Sequence, residues 1–168
     1  MTPYRAEAPF DWQAILTLIQ DSFAFMDGRI DPPSSMHRLT PEDIAAQAQQ
    51  GGVWVIGQPP IACVFLTVKP GALYIGKLAV ARSHRGKGLA RSLIDTAEAR
   101  ARALGLPMLE LQTRVELTEN HATFRALGFR ETDRTAHPGH DRPTSLTFRR
   151  AVSPSTVLPS TAPSEGPK

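Results

Sequence analysis

Only one of the 168 residues is a cysteine, Cys63, so no intrachain disulfide can form. It lies in the apolar run "PIACVFLTV", which makes it a small core residue rather than a reactive thiol in electropositive, accessible surroundings. Long apolar runs are also missing. None approaches the ~20 residues that span a bilayer, which excludes a membrane protein and a membrane partner. The opening "MTPYRAEAPFDW" has Glu7, Pro9 and Asp11 where a secretory leader needs unbroken apolar residues, so a cytoplasmic location is expected. Charge of one sign is scarce: 19 Lys and Arg stand against 16 Asp and Glu, a net +3 that gives little support to a nucleic-acid partner. Large side chains are nearly absent from "AVSPSTVLPSTAPSEGPK", so 151–168 is expected to be a disordered Pro/Ser-rich tail behind a single domain at 1–150.

What is present alternates between two periodicities. "FDWQAILTLIQDSF" gathers Trp12, Ile15, Leu16, Ile19 and Phe23 on one helical face. "LTPEDIAAQAQQGG" reads as a second helix, with Thr40 as N-cap, Pro41 in its first turn and Gly51 at its end. Between them 26–38, about a dozen residues, forms a long loop. "VWVIGQPPIACVFLTV" is a hairpin turning at 57–60, and "GALYIGKLAV" is a third β-rich run. A helix with Leu89, Leu93, Ala97, Ala101 and Leu104 in phase follows, stopped by Gly105 and Pro107. "MLELQT" is an alternating strand, "ENHATFRALGF" a short helix, and "RETDRT" with "SLTFRR" a closing hairpin. The order predicts a mixed α/β fold with one crossover helix in the middle.

The stretch "ARSHRGKGLARSLI" joins the third strand to the crossover helix. Gly86 and Gly88 let the backbone turn sharply and approach a ligand closely, and the first amides of the following helix lack partners within it. The helix dipole makes that end partly positive, and Arg85, Lys87 and Arg91 flank it. These features make a phosphate or diphosphate site. A nucleoside-triphosphatase loop would need Gly, four residues and Gly-Lys-Ser/Thr, which does not occur. A dinucleotide fingerprint would need a third glycine where Arg91 stands. The string Arg85-Gly86-Lys87-Gly88-Leu89-Ala90 resembles instead the acetyl-CoA diphosphate loop of the GNAT superfamily of N-acetyltransferases. That loop reads Arg/Gln, any two, Gly, any one, Gly/Ala. Its setting, between a strand and an amphipathic helix with a further strand and a helix ending in "LGF" behind it, extends the resemblance over 74–132.

The resemblance implies a GNAT-like acyl-CoA N-acyltransferase fold: a central mixed, mostly antiparallel sheet of six to seven strands flanked by about four helices. It implies acetyl-CoA as co-substrate, no metal, and acetyl transfer to a primary amine of a small molecule, amino acid or peptide by direct attack in a ternary complex. The strands before the loop and after the crossover helix would splay to admit pantetheine. Main-chain groups of Leu78, Ala79 and Val80 would hold that arm, and amides of Arg85, Gly86, Lys87, Gly88, Leu89 and Ala90 the diphosphate. Homodimers are frequent in the family; the sequence itself demonstrates none.

At the catalytic position the chain departs from the pattern. Phe124 stands four residues before Gly-Phe, where many members carry a tyrosine that protonates the leaving sulfur. His121 and Asn120 on the same helix are the nearest substitutes; the bland alternatives are a surface histidine and an N-cap. Tyr74 occupies the place of a glutamate in some members and is a poor base with a pKa near ~10. Glu110, on the strand face opposite Leu109 and Leu111, is a candidate base, with Glu116 and Glu119 behind it. The base matters more than the acid. An amine of pKa about 10.4 is neutral in roughly one molecule per few thousand at pH 7, a handicap of about 4–5 kcal/mol, against about 2 kcal/mol for a thiol leaving group.

For the acceptor, the resemblance points to the loop at 26–38, with Asp27, Arg29 and Asp31, and to the last hairpin at 136–143, with His137, His140, Asp141 and Arg142. This mixed charge permits an amino acid or a peptide and selects neither. His137, His140 and Asp141 are too few and too close for a metal site. Two other readings compete with the acetyltransferase: a catalytically weak or regulatory CoA-binding domain, favoured by Phe124 and the lack of an obvious base, and a nucleic-acid module, which lacks an aromatic platform.

Overall fold

The Asp11 side chain accepts a hydrogen bond from the Ala14 amide and starts α1 (Trp12–Phe23), whose Ile15, Leu16, Leu18 and Ile19 form its buried face. Thr40 and Asp43 form a reciprocal capping box at the head of α2 (Pro41–Gln50), with Pro41 in the first turn. In this computed structural model, which describes residues 1–153, these two helices cover one face of a sheet. The longer helix α3 (Leu89–Ala103) covers the other, burying Leu93, Ile94, Ala97 and Ala101, with α4 (Thr118–Ala126) beside it. Each fully buried Leu or Ile adds about 1.5–3 kcal/mol of transfer free energy. The mixed sheet therefore rests on two separate cores.

The sheet has seven strands in the order β1-β2-β3-β4-β5-β7-β6. These are β1 (Tyr4–Arg5), β2 (Val53–Ile56), β3 (Ala62–Lys69), β4 (Ala72–Val80), β5 (Met108–Arg114), β6 (Arg130–Thr135) and β7 (Ser145–Ala151). Every pairing is antiparallel except β4 with β5, which α3 connects as the crossover. This is the GNAT-like acyl-CoA N-acyltransferase architecture that the sequence resemblance implies.

Three elements differ from expectation. The edge strand β1 is two residues long, too short to leave an alternating pattern. Leu104 lies past the last residue of α3 and is exposed, because the chain turns there into Gly105. The segment 26–38 is not bare loop: it leaves a 3-10 turn at Ala24–Met26 and holds another at Ser35–Arg38, and Ser34 and Met36 are buried. At the C-terminal end, β7 runs through Ala151, and the Ser153 amide donates to Glu98 Oε2 at 2.6 Å. The rest of the Pro/Ser-rich segment lies outside the described residues.

Candidate active site

Strands β4 and β5 pair only at Ala72–Met108, Leu73–Leu109 and Tyr74–Glu110. Beyond Tyr74 the two strands diverge, leaving 75–80 and 111–114 facing each other across a gap. A bulge sharpens the divergence: between the Phe65–Gly76 and Cys63–Ala79 pairs, Lys77 and Leu78 oppose Val64 alone. Lys77 takes φ +47°, a left-handed conformation costing an ordinary residue about 1–2 kcal/mol. The Ala81 amide bonds Ile61 on the β3 side, so by strand alternation Ala79 also turns its main chain toward β3 while Leu78 and Val80 turn theirs into the gap. The Val80 carbonyl already accepts from Ser22 Oγ at 3.3 Å and Arg85 Nε at 3.2 Å. Of the three residues expected to grip a cofactor arm, the Leu78 main chain and the Val80 amide are those oriented to do so. Ala79 is not.

The gap opens into a cleft of about 1220 Å³ that runs to the head of α3. There Gly86 and Gly88 adopt φ +78° and +79°, and a Cβ built on either would meet no atom within 4 Å. Gly88 is the N-cap of α3, and no side chain caps that helix end. Leu89, Ala90 and Arg91 thus present the first-turn amides to open space, a cradle that fits an anion such as a diphosphate. Arg85 plays a different part: its Nη2 donates to the Ser22 carbonyl at 3.1 Å, tying the loop to the end of α1. Gly86, Gly88, Leu89, Ala90 and Arg91 line the cleft; Lys87 is exposed beside it.

The candidate catalytic residues scatter. Glu110 is buried at the closed end of the gap, held by Lys69 Nζ at 2.6 Å and Arg149 Nε at 3.0 Å. Burial pushes its carboxyl up, but Lys69 and Arg149 together outweigh that and hold it below the usual range. A doubly paired carboxylate outside the cleft lining is a poor base, so Glu110 is structural. His121 is neither a surface residue nor a cofactor contact: it is buried, its Nε2 lies 2.9 Å from the Arg114 carbonyl and its ring packs on Phe148. Asn120 and Phe124 do line the cleft. Asn120 is not the N-cap, because α4 starts one turn earlier behind Leu117. Phe124 packs edge-on against Phe129, 6.1 Å between centroids. Tyr74 lines the cleft with its hydroxyl held protonated by burial and the Glu110 charge, so it can donate but not accept a proton near neutrality. Glu119 is bound bidentately by Arg29, which with other hydrogen bonds brings its carboxyl down to about 2. Glu116 keeps one carboxylate oxygen buried and without a partner.

On the acceptor side, Asp27, Arg29 and Asp31 do not line the cleft. They are spent on His37 at 2.9 Å, Glu119 at 2.7 Å, and His140 and Arg142 at 3.5 and 3.6 Å. The Asp27 pair braces the 26–38 segment internally, and the Arg29 and Asp31 pairs fasten it to α4 and the last hairpin. His137 does line the cleft, and burial, then the charges of Arg114 and His140, lower its pKa, so it is a neutral imidazole at pH 7. Its amide donates to Thr144 Oγ1 at 2.9 Å and its Nδ1 contacts the same oxygen. Sequence reasoning passed over Arg38, Lys77 and Arg114, all in the cleft wall. Lys77 carried a readable signal: it is the one charged residue in "ALYIGKLAV". Among the described residues no group of three or more His, Cys, Asp or Glu could hold a metal ion, and no helix is long and apolar enough to cross a membrane.

A mixed sheet parted between β4 and β5, with a glycine cradle heading the crossover helix, defines an acyl-CoA-dependent acyltransferase. Residues 12–129 match the acetyltransferase (GNAT) family, and the chain belongs to it. No curated protein matches it in sequence. Among solved structures it is similar to the PaiA N-acetyltransferase of Thermoplasma acidophilum in complex with coenzyme A (TM-score 0.72, 12% identity, 90% of this chain and 99% of that one). It is also similar to the ribosomal-protein-S18-alanine N-acetyltransferase of Escherichia coli (TM-score 0.64, 19% identity, 92% and 95%) and to an IAA acetyltransferase of Bacillus cereus (TM-score 0.59, 20% identity, 89% and 98%).

Proposed function

We propose that the chain is an acetyl-CoA-dependent N-acetyltransferase acting on a primary amine of a small molecule, amino acid or peptide, with one catalytic domain over residues 1–150. The observation that carries the reading is the gap between β4 and β5 ending at the uncapped, glycine-headed start of α3. Pantetheine would enter the gap as a missing strand against Leu78 and Val80, and the α3 amides would take the diphosphate. The amine nitrogen attacks the thioester carbonyl, a C–N bond forms, the C–S bond breaks, and CoA leaves as the thiolate to be protonated. A main-chain donor in the gap stabilises the oxyanion without a special side chain.

With Glu110 locked away, we assign removal of the amine proton to His137. The Thr144 hydroxyl lies 3.4 Å from the Thr135 carbonyl. Donating there, it can only accept from His137 Nδ1, which leaves Nε2 unprotonated. An imidazole is too weak to deprotonate a free ammonium but strong enough once the attacked nitrogen has become acidic. The absence of a tyrosine at Phe124 concerns the less demanding step. It also favours the second reading, a catalytically weak or regulatory CoA-binding domain. The buried Cys63 thiol, pushed up to about 12 by burial, is a core residue and takes no part as a nucleophile.

The test is thermal shift with acetyl-CoA, CoA and an oligonucleotide, followed by thiol release against an amine panel. Stabilisation by both CoA species with turnover of an amine is expected. Stabilisation without any turnover leaves the CoA-binding domain; no stabilisation removes both readings.

A further inference from the structure

The acceptor end of the cleft has an unbalanced charge. Lys77 from the β4 bulge, Arg114 from the end of β5 and Arg38 from the 3-10 turn at Ser35–Arg38 converge on its wall from three separate elements. Among the described residues that line the cleft the only carboxylate is Glu119, already engaged by Arg29. Among the described residues no carboxylate lies within 4.0 Å of Lys77, Arg38 or Arg114. Their contacts are neutral: Lys77 Nζ donates to Ser35 Oγ at 2.7 Å, and Arg114 donates to the Pro32 and Pro33 carbonyls. Asp31 and Glu116 favour the Arg114 charge from farther away without pairing with it. Lys77 bears the consequence, since burial and then Arg114 and Arg38 push its pKa down. A left-handed lysine aimed into such surroundings is strain kept at a site rather than on a surface.

We infer that this cluster receives an anionic oxygen group, carboxylate or phosphate, carried by the acceptor amine itself. The inference rests on the acetyltransferase reading and sharpens it: the substrate is an amino acid or amino phosphate rather than a plain amine or polyamine. The same field serves the other end of such a molecule. Positive surroundings disfavour the ammonium form, so a substrate anchored by its anion presents a larger fraction of neutral nitrogen to the thioester, with each unit of pKa depression a tenfold gain. A polyamine would be repelled by the three cations.

Two measurements on the full chain test this. Thiol release from acetyl-CoA is compared for amino acids against their carboxamides and for O-phosphoethanolamine against ethanolamine, in wild type, Lys77→Gln and Arg38→Gln. The anion-bearing member of the preferred pair is expected to have a kcat/KM at least tenfold higher. That preference should fall at least tenfold in either variant, chiefly through KM, with CoA affinity unchanged. Which pair responds distinguishes carboxylate from phosphate. Independently of turnover, inorganic phosphate and succinate at matched ionic strength should raise the Tm of wild type more than that of the double variant. Preference for the amide or plain amine, or equal upshifts in wild type and double variant, would overturn the inference. Failure of wild type to bind CoA, with the anion upshift difference intact, would instead remove the acetyltransferase reading and leave the anion site standing.

Discussion

Replacing Gly88 by alanine perturbs the cradle through two costs that can be measured apart. The first is conformational. Gly88 holds φ +79°, and because a Cβ there would touch nothing within 4 Å, the whole folding penalty is the left-handed backbone, about 1–2 kcal/mol. For a chain of this size that lowers Tm by about 2–8 °C. Gly71, in the turn between β3 and β4, has φ +74° and equally empty surroundings, so Gly71→Ala pays the same strain far from the cradle. The second cost falls on the ligand. On the proposed binding mode the new methyl would occupy the space through which a phosphate oxygen reaches the α3 amides, and losing one charge-assisted hydrogen bond costs about 1.5–3 kcal/mol. Isothermal titration with CoA should therefore give a Kd about tenfold to a hundredfold weaker for Gly88→Ala than for Gly71→Ala, at similar Tm. Gly88→Glu, which adds a like charge, should abolish binding. If Gly88→Ala binds CoA within threefold of Gly71→Ala, the diphosphate does not sit on this helix end.

His137→Gln should lower kcat by about a hundredfold with little change in CoA affinity, and should remove from the wild-type kcat/KM profile an acid limb whose pKa lies below 6.5. A profile unchanged in shape would dismiss His137 as the base. Glu110→Gln should cost about 1–3 kcal/mol by removing the charge that Lys69 and Arg149 share and replacing one of their two acceptor oxygens by a donor. Because the Glu110 pKa is lowered on folding, its stabilisation is complete above the ordinary value of 4.5 and disappears as pH falls through the folded value. Melting temperatures should thus converge between wild type and variant in acid, and a constant difference down to pH 3 would contradict the assignment. Phe124→Tyr should raise kcat, by no more than about thirtyfold, the ~2 kcal/mol that protonating a thiolate can supply; a fall in kcat at equal CoA affinity would show the aromatic packing to be what matters there.

The elements that position the cradle were readable because each has a local cause. Thr40, Pro41 and Asp43 announce the head of α2, and Gly86 and Gly88 mark a turn that only residues without a Cβ make cheaply. Alternation correctly separated Glu110 from Leu109 and Leu111, but alternation says nothing about what faces a residue from other strands of the sheet. Lys69 and Arg149 arrive from β3 and β7, 41 and 39 residues distant in sequence, and turn a candidate base into a buried ion pair. His121 fails for the same reason: the Arg114 carbonyl that fixes it belongs to the preceding strand end. Asp27, Arg29 and Asp31 look free in the sequence because their partners, His37, Glu119, His140 and Arg142, are set by tertiary folding. Arg38 and Arg114 left no local mark at all, since a convergence of like charges is a property of three elements together.

The three-residue parallel ladder between Ala72–Tyr74 and Met108–Glu110 is in effect a seam between two half-sheets, β1–β4 and β5–β7. Anything that bonds both lips at once works as a stitch and stiffens the molecule across that seam. Co-substrate binding and mechanical rigidity are then one event, and amide exchange along 75–80 and 111–114 should slow in step with occupancy.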